Sequence, residues 1–249
     1  MSHVVRLLPP EPRPERPSPE GRLALAGGIA DSALGGGLML AGCHEIYGPA
    51  ASAWALMLAL ACPRAGPILW LADARSDEGR LYGAGLAELG GDPARLWLVM
   101  AGNTLATLRA AAEAQRCAAL GCVVIEAGSA SAVDLTVTRR LQLAAAASGV
   151  FTLLVRAGPP RPSAALTRWR ARAAPARRLA GNAPGPPRLA LALERQRGGP
   201  ADIELELEWD RDRRRFLPVA LAGTRLPVGA AFGRRITPHP RALPALAVG

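Results

Sequence analysis

The sequence contains no lysine: all 30 of its basic residues are arginines, and with 20 acidic residues the formal net charge is +10. The absence excludes binding sites that depend on a lysine ammonium, above all the lysine that contacts nucleotide phosphates in the common ATP-binding loop. The positive charge permits contact with DNA or with an acidic partner, but it bears on association and not on the fold.

Long hydrophobic runs are also absent. The longest mainly apolar run, residues 50–62, is well short of the roughly 20 residues that a membrane-spanning helix needs. Four prolines between Pro9 and Pro14 interrupt the N-terminus before a long apolar region develops, which is not a secretory pattern. We therefore expect a cytoplasmic protein with no membrane contact.

The four cysteines do not form a metal-binding pattern. Cys117 and Cys122 share a C-x₄-C spacing and Cys43 precedes His44, but no second tight pair completes a zinc set. Cys43 and Cys122 fall in predicted core strands. We expect buried free thiols, no metal site, and for His44 a satisfied or exposed ring.

The pattern of the chain predicts one α/β domain between two irregular ends. Residues 1–20 are rich in proline and charge and are predicted to be a disordered arm, and residues 223–249 a Pro/Gly-rich tail without stable structure of its own. Between them, apolar strands alternate with alanine-rich helices up to about residue 157, which predicts a mostly parallel sheet flanked by helices. The predicted helices are 52–62, 81–89, 104–118 and 135–148. Strands at 188–194, 203–209 and 215–221 are expected to extend the core, residues 21–222, by a C-terminal antiparallel hairpin or meander.

One segment resembles an ATP-binding P-loop, G-x-x-x-x-G-K-[ST], without the residues that carry its chemistry. Gly48, followed by Pro49, matches the first glycine, but the second glycine, the lysine and the hydroxyl are replaced by Ala53, Trp54 and Ala55. Lysine reaches the β- and γ-phosphates in such a loop and the hydroxyl holds magnesium. We expect the indole of Trp54 to occupy the phosphate position. The alternative is an ordinary strand-turn-helix in which Gly48 and Pro49 merely make the turn.

The residues around this loop resemble the RecA family. Residues 29–38, IADSALGGGL, are similar to a segment that leads in that family into a strand ending in EIYGP, and residues 45–49 have that sequence here. The resemblance implies a RecA-like fold. It places Arg75 where the family has the glutamate that activates water, Tyr82 where a tyrosine stacks on adenine, and Glu126 where the Walker B aspartate stands. With lysine, hydroxyl and glutamate all replaced, we expect a pseudo-ATPase that uses no cofactor.

The later segments narrow the resemblance to the ImuA family of inducible mutagenesis proteins. The similar segments are residues 135–150, 163–170 and 206–210. The resemblance implies a nucleoid-associated accessory protein in SOS-induced translesion synthesis. Its implied partners are ImuB, an inactive polymerase-like protein, and an error-prone C-family polymerase, with RecA itself and DNA as further candidates.

A cluster of arginines around one tryptophan is the candidate binding segment. The cluster consists of Arg168, Trp169, Arg170, Arg172, Arg177 and Arg178. The RecA family has a DNA-contacting loop in this neighbourhood, which here is largely missing. A flexible arginine-rich segment with one aromatic residue could bind phosphates and stack on a base. The alternative is that Trp169 packs against the core and the arginines are its solvated neighbours.

Two other functions remain open from the sequence. A cell-division inhibitor of the SulA type is a related RecA-like protein without ATPase activity, although this chain is longer than such inhibitors usually are. A RecA-like ATP-dependent DNA-binding protein would require the loop around Gly48 to bind ATP despite its substitutions.

Overall fold

A computed structural model of the chain describes residues 21–75, 81–128, 132–158 and 161–219. The predicted arm at 1–20 and the predicted tail from 223 lie outside these residues. A short ribbon is formed by β1 (Arg22–Leu23) and β2 (Leu38–Met39). Within these ranges the large sheet has nine strands. Its strands are β3 (Cys43–Tyr47), β4 (Ile68–Asp73), β5 (Leu96–Ala101), β6 (Cys122–Ala127), β7 (Phe151–Arg156), β8 (Thr167–Ala174), β9 (Arg188–Gln196), β10 (Ile203–Asp210) and β11 (Arg215–Pro218).

The strand order in the large sheet is β11-β10-β9-β8-β3-β7-β6-β4-β5. The pairs from β8 through β3, β7, β6 and β4 to β5 are parallel, whereas the pairs from β8 through β9 and β10 to β11 are antiparallel. Every residue of β6 and β7 is buried, as expected for central parallel strands covered on both faces. The predicted mostly parallel sheet with a C-terminal antiparallel extension is confirmed.

Helices pack on both faces of this sheet. They are α1 (Gly28–Ala33), α2 (Ala51–Ala61), α3 (Gly83–Glu88), α4 (Thr104–Ala114) and α5 (Leu135–Ser148). Helix α2 shares a core with the ribbon segment and with β8 to β11, and α4 and α5 cover the opposite face of β3 to β7. None of the helices in the described ranges is long and apolar enough to cross a membrane.

Capping residues explain where the helices begin and end. The Asp134 side chain accepts a hydrogen bond from Val137 N–H, and Gly149 is left-handed with φ 78°, so the predicted limits of α5 are confirmed. Helix α4 ends four residues before its predicted limit of 118. Its chain tightens there, because Arg116 N–H bonds to the carbonyl three residues back.

Strand β8 is the main element that the sequence did not predict. Residues Thr167–Ala174 lie between β3 and β9 inside the sheet, so the prediction of a flexible segment after the last core strand is wrong. Thr167, Trp169 and Ala171 are buried while the arginines between them point to the other face. This alternation is the two-residue period of a strand.

Candidate functional site

The turn between β3 and α2 is the site to which the sequence points. Strand β3 ends at Tyr47 and α2 begins at Ala51, so residues 48–50 form the whole connection. Gly48 has φ 103°, and a Cβ atom there would lie 2.5 Å from the carbonyl oxygen of Ala171 in β8. The turn is pressed against the neighbouring strand, so only glycine fits at position 48.

Main-chain groups of this turn bond within the protein. Ala50 N–H donates to the Ala171 carbonyl at 3.2 Å, and Ala51 N–H donates to the Gly48 carbonyl at 3.0 Å. In phosphate-binding loops such N–H groups point at the ligand instead. Here these two amides close the turn.

The motif positions that follow the turn lie inside α2. Ala53, Trp54 and Ala55 are the third, fourth and fifth residues of the helix. The P-loop pattern places four residues between its two glycines, in a loop that precedes the helix. Two of those four positions, Ala51 and Ser52, are already helical here. The connection is therefore shorter than the loop of the motif.

The indole of Trp54 packs against the sheet. It is fully buried, and its ring centroid lies 4.7 Å from that of Phe216 in β11 and 6.1 Å from that of Trp169 in β8. The expectation that Trp54 occupies the phosphate position is wrong. Because α2 begins early, position 54 belongs to the helix face that meets the antiparallel half of the sheet.

The carboxylate of Glu126 near the end of β6 accepts hydrogen bonds from two side chains. Ser52 Oγ in α2 donates to Oε1 at 2.5 Å, and Trp70 Nε1 in β4 donates to Oε2 at 3.1 Å. The helix and two strands are thus joined directly through the residue that matches the metal-binding position of the resemblance.

The two remaining positions of the RecA resemblance, Arg75 and Tyr82, are both exposed. Arg75 is exposed after β4, and its N–H donates to Asp73 Oδ1 at 2.9 Å. Thr104 Oγ1 donates to Asp73 Oδ2 at 2.7 Å, and this bond, followed by the one from Arg75, lowers the pKa of Asp73. Tyr82 precedes α3 and is 76% exposed. Neither Arg75 nor Tyr82 lines the pocket beside Gly48.

That pocket is open and has a volume of about 480 Å³. Its lining comes from the β3–α2 turn, the start of α2 and residues 155–158 at the end of β7. The guanidinium of Arg156 bonds to Glu45, and both side chains are 0% exposed. Burial, with a hydrogen bond to Glu194, raises the pKa of Tyr47 to about 12, so its phenol is neutral at physiological pH. The pocket offers a neutral phenol, main-chain groups, the Ser52 hydroxyl, which already donates to Glu126, and an arginine that is already paired.

Two curated relatives match most of the chain. Both are named Protein ImuA and come from Caulobacter vibrioides, strains NA1000 / CB15N and ATCC 19089 / CIP 103742 / CB 15. Each is 36% identical over 191 residues, which cover 66% of this chain and 74% of the relative. The chain belongs to the ImuA family.

A solved structure supports the fold expected for this ImuA-family chain. The crystal structure of the RadB recombinase superposes with a TM-score of 0.53 at 17% identity, covering 76% of this chain and 96% of the other. At this identity the likeness shows the fold alone. The predicted RecA-like fold class is confirmed. No protein-family model matches the chain.

The predicted binding tryptophan of this ImuA-family chain is a core residue. Trp169 is 0% exposed, and its Nε1 donates to Thr167 Oγ1 at 2.9 Å. Because the ring lies between the sheet and α2, stacking of Trp169 on a base is not possible in this arrangement. The alternative, a tryptophan packed against the core, is the one the structure shows.

The neighbouring arginines fall into two groups. Arg168 and Arg170 lie in β8 and pair with acidic side chains, Arg168 with Glu45 and Arg170 with Glu194. Arg172, Arg177 and Arg178 are exposed. Binding of DNA or a partner by these arginines stays a prediction.

Glu45 is the centre of a buried ion cluster that sequence reasoning missed. Its Oε1 lies 2.5 Å from Arg156 Nη1 in β7, and its Oε2 lies 2.9 Å from Arg168 Nε in β8. The three side chains are at most 14% exposed. The sequence feature that could have revealed the cluster is the presence of Glu45, Arg156 and Arg168 in segments that are otherwise mostly apolar or alanine-rich.

His44 is buried in β3 with both ring nitrogens bonded. Nε2 donates to the Met39 carbonyl at 2.8 Å, because a carbonyl can only accept, and Nδ1 therefore accepts from Thr167 Oγ1 at 2.8 Å. The expectation of a satisfied histidine is confirmed. Burial lowers the pKa of His44 to about 4.

This histidine predicts a pH dependence of stability. In the unfolded chain His44 takes up a proton near its ordinary pKa of 6.5, whereas the folded chain resists protonation down to about pH 4. The free energy of unfolding should therefore fall by the order of 3 kcal/mol as the pH drops from about 6.5 to 4. Above that window His44 is neutral in both states and causes no loss of stability. Urea unfolding at several pH values, with His44→Gln as the control, measures the effect. The prediction would be contradicted if the free energy of unfolding changed equally with pH in the wild type and in His44→Gln over this window.

The cysteines agree with the expected burial except for Cys117, which is exposed. Cys43 and Cys122 are buried free thiols, as predicted. Within the described part of the chain, no group of three or more His, Cys, Asp or Glu side chains is placed to hold a metal ion.

Proposed function

We propose that this chain is a non-catalytic RecA-like accessory protein in SOS-induced translesion synthesis. It acts as an adaptor for a polymerase-like partner of the ImuB type and, through that partner, for an error-prone C-family polymerase. Membership of the ImuA family and the recombinase-like fold support a role related to DNA damage. The observation that carries the non-catalytic part is the closed turn at Gly48.

Three features of the site support an adaptor over an ATPase. The β3–α2 turn uses two of its amides internally. The lysine and hydroxyl positions are taken by Trp54, which is in the core, and by Ala55. Arg75 stands at the water-activating position, outside the pocket. Each charge-assisted bond to a phosphate that is missing removes roughly 1.5–3 kcal/mol of binding free energy.

Complex formation with the ImuB-type partner should be indifferent to nucleotide. We expect the two purified proteins to co-elute on size exclusion without nucleotide, and titration calorimetry to give dissociation constants that agree within about twofold with and without ATP-magnesium. ADP-magnesium and magnesium alone are the matched controls.

Two outcomes would redirect the assignment. A complex that forms only with ATP-magnesium would contradict the non-catalytic proposal and favour an ATP-dependent DNA-binding protein. No complex in any condition, together with filamentous cells on overexpression, would favour a cell-division inhibitor of the SulA type.

A further inference from the structure

The face of β8, β9 and β10 that points away from α2 carries its charges in columns. Residues paired across these strands form rows. The first row consists of Arg170, Ala192 and Glu204, and the second of Arg172, Ala190 and Glu206. We call these six residues the striped face: arginines on β8, glutamates on β10, and alanines between them on β9.

Most charges of the striped face have no counter-charge of their own. The side chains of Arg172, Glu204 and Glu206 make no hydrogen bond or ion pair with another residue in the described ranges. Arg172 and Glu204 are exposed, and Glu206 is half-buried. The small alanines leave a shallow groove of about 140 Å³ between the two charged columns, so an opposing surface can approach closely.

Nucleic acid does not match this pattern. The glutamate column lies two strand spacings from the arginine column, about 10 Å away, which is roughly one Debye length at moderate salt. A phosphate backbone laid on Arg170 and Arg172 would be repelled by Glu204 and Glu206. The pattern requires an occupant whose own charges are divided in the same way.

A second copy of the chain has that division. A two-fold axis parallel to β9 brings β8 of one copy over β10 of the other and keeps the rows in register. Arg172 then faces Glu206 of the second copy, and Arg170 faces Glu204. We infer that the striped face is a contact surface between two copies of this chain.

The other charges around β9 are compatible with this contact. Glu194 lies 3.1 Å from Arg170, and Arg188 lies 2.7 Å from Glu208, so the charges on the two-fold axis are each balanced within their own copy. Helix α5 packs on β3 and β7, beside the striped face. The striped face consists of six residues on three strands, fewer than the roughly 20–30 residues a side of a typical stable interface. The association is therefore weak and reversible.

Sedimentation velocity on the full chain tests the inference. From about 10 to 500 µM at low salt, a concentration-dependent shift from monomer to dimer is expected, and about 0.5 M salt should weaken it because the contact is ionic. A chain that remains monomeric over the whole range at low salt would overturn the inference.

Charge reversal identifies the surface. Arg172→Glu and Glu206→Arg should each raise the dimer dissociation constant at least about tenfold, whereas Glu113→Arg on the exposed face of α4 should not change it. Circular dichroism checks that each variant is folded, which is expected because neither reversed side chain has a described partner.

Mixing the two variants is the decisive experiment. In the second row, Arg172→Glu has acidic side chains in both columns, and Glu206→Arg has arginines in both. Together the two variants should form a heterodimer with an affinity within about threefold of the wild-type value. The double variant Arg172→Glu/Glu206→Arg should again form a homodimer. A wild-type dimer that both single reversals leave unchanged would place the contact elsewhere and overturn the inference.

Discussion

Replacing Trp54 by lysine is expected to unfold much of the protein and to create no ATPase activity. The indole is fully buried against Phe216 and Trp169, and removing a buried tryptophan alone costs about 3–5 kcal/mol. An ammonium in the same place adds the penalty for a buried unpaired charge. The sum approaches the whole stability of a typical domain, about 5–15 kcal/mol. Lysine at position 54 thus cannot restore a phosphate site, because the helix directs that side chain into the core.

Trp97→Lys is the matched control for this substitution. Trp97 lies in the edge strand β5 and is 54% exposed, so the same chemical change there should cost less than about 1 kcal/mol. Urea unfolding followed by circular dichroism gives both values, and phosphate release assays give the activity. A folded Trp54→Lys variant that hydrolyses ATP would show that the turn can open into a nucleotide site.

Removing the charge of Glu45 is expected to have the second largest effect. Glu45→Gln leaves Arg156, which is 0% exposed, and Arg168 without the carboxylate that both contact. Breaking a buried ion pair by removing one partner typically costs about 3–5 kcal/mol. The cluster joins three neighbouring strands, β7, β3 and β8, so we expect the loss to appear as a lower urea midpoint of the whole unfolding transition.

Two further variants distinguish the effect of the lost Glu45 charge from a general sensitivity of the protein to substitution. Glu113→Gln removes the carboxylate of an ion pair whose side chains are 71% and 77% exposed, and it should change stability by less than about 1 kcal/mol. The triple variant Glu45→Leu/Arg156→Met/Arg168→Met replaces the cluster by apolar side chains and should recover much of the stability. A Glu45→Gln variant as stable as wild type would mean that water reaches the cluster.

The sequence predicted those elements whose local signals agree with their surroundings. Helix α5 has an Asp134 cap, a Gly149 stop and an amphipathic pattern, so its limits could be placed. Strands β6 and β7 are buried, mostly apolar runs of six residues each, and their strongly polar residues, Glu126 and Arg156, lie at or next to the strand ends. Strand β8 was missed because arginines alternate in it with Thr167, Trp169 and Ala171, and the run of charge favoured a solvated segment.

The direction of Trp54 could not be predicted for a different reason. Helix α2 is buried along most of its length, so its sequence has no polar face to indicate which side meets the sheet. The motif pattern requires a loop up to position 53, which conflicts with the predicted helix 52–62, and the structure agrees with the helix, which begins at Ala51. The position of the indole depends on contacts with Trp169 and Phe216, which are distant from Trp54 in sequence.

The closed turn at Gly48 bears on how the lifetime of a protein complex is controlled. In proteins that bind and hydrolyse a nucleotide, hydrolysis can set how long a complex lasts. Under the proposed function, the turn at Gly48, which bonds to its own neighbouring strand, binds no nucleotide whose hydrolysis could limit the lifetime of a complex. Under the proposed function, complexes of this protein end by dissociation, competition or degradation, and its concentration in the cell becomes the quantity that switches mutagenic synthesis on and off.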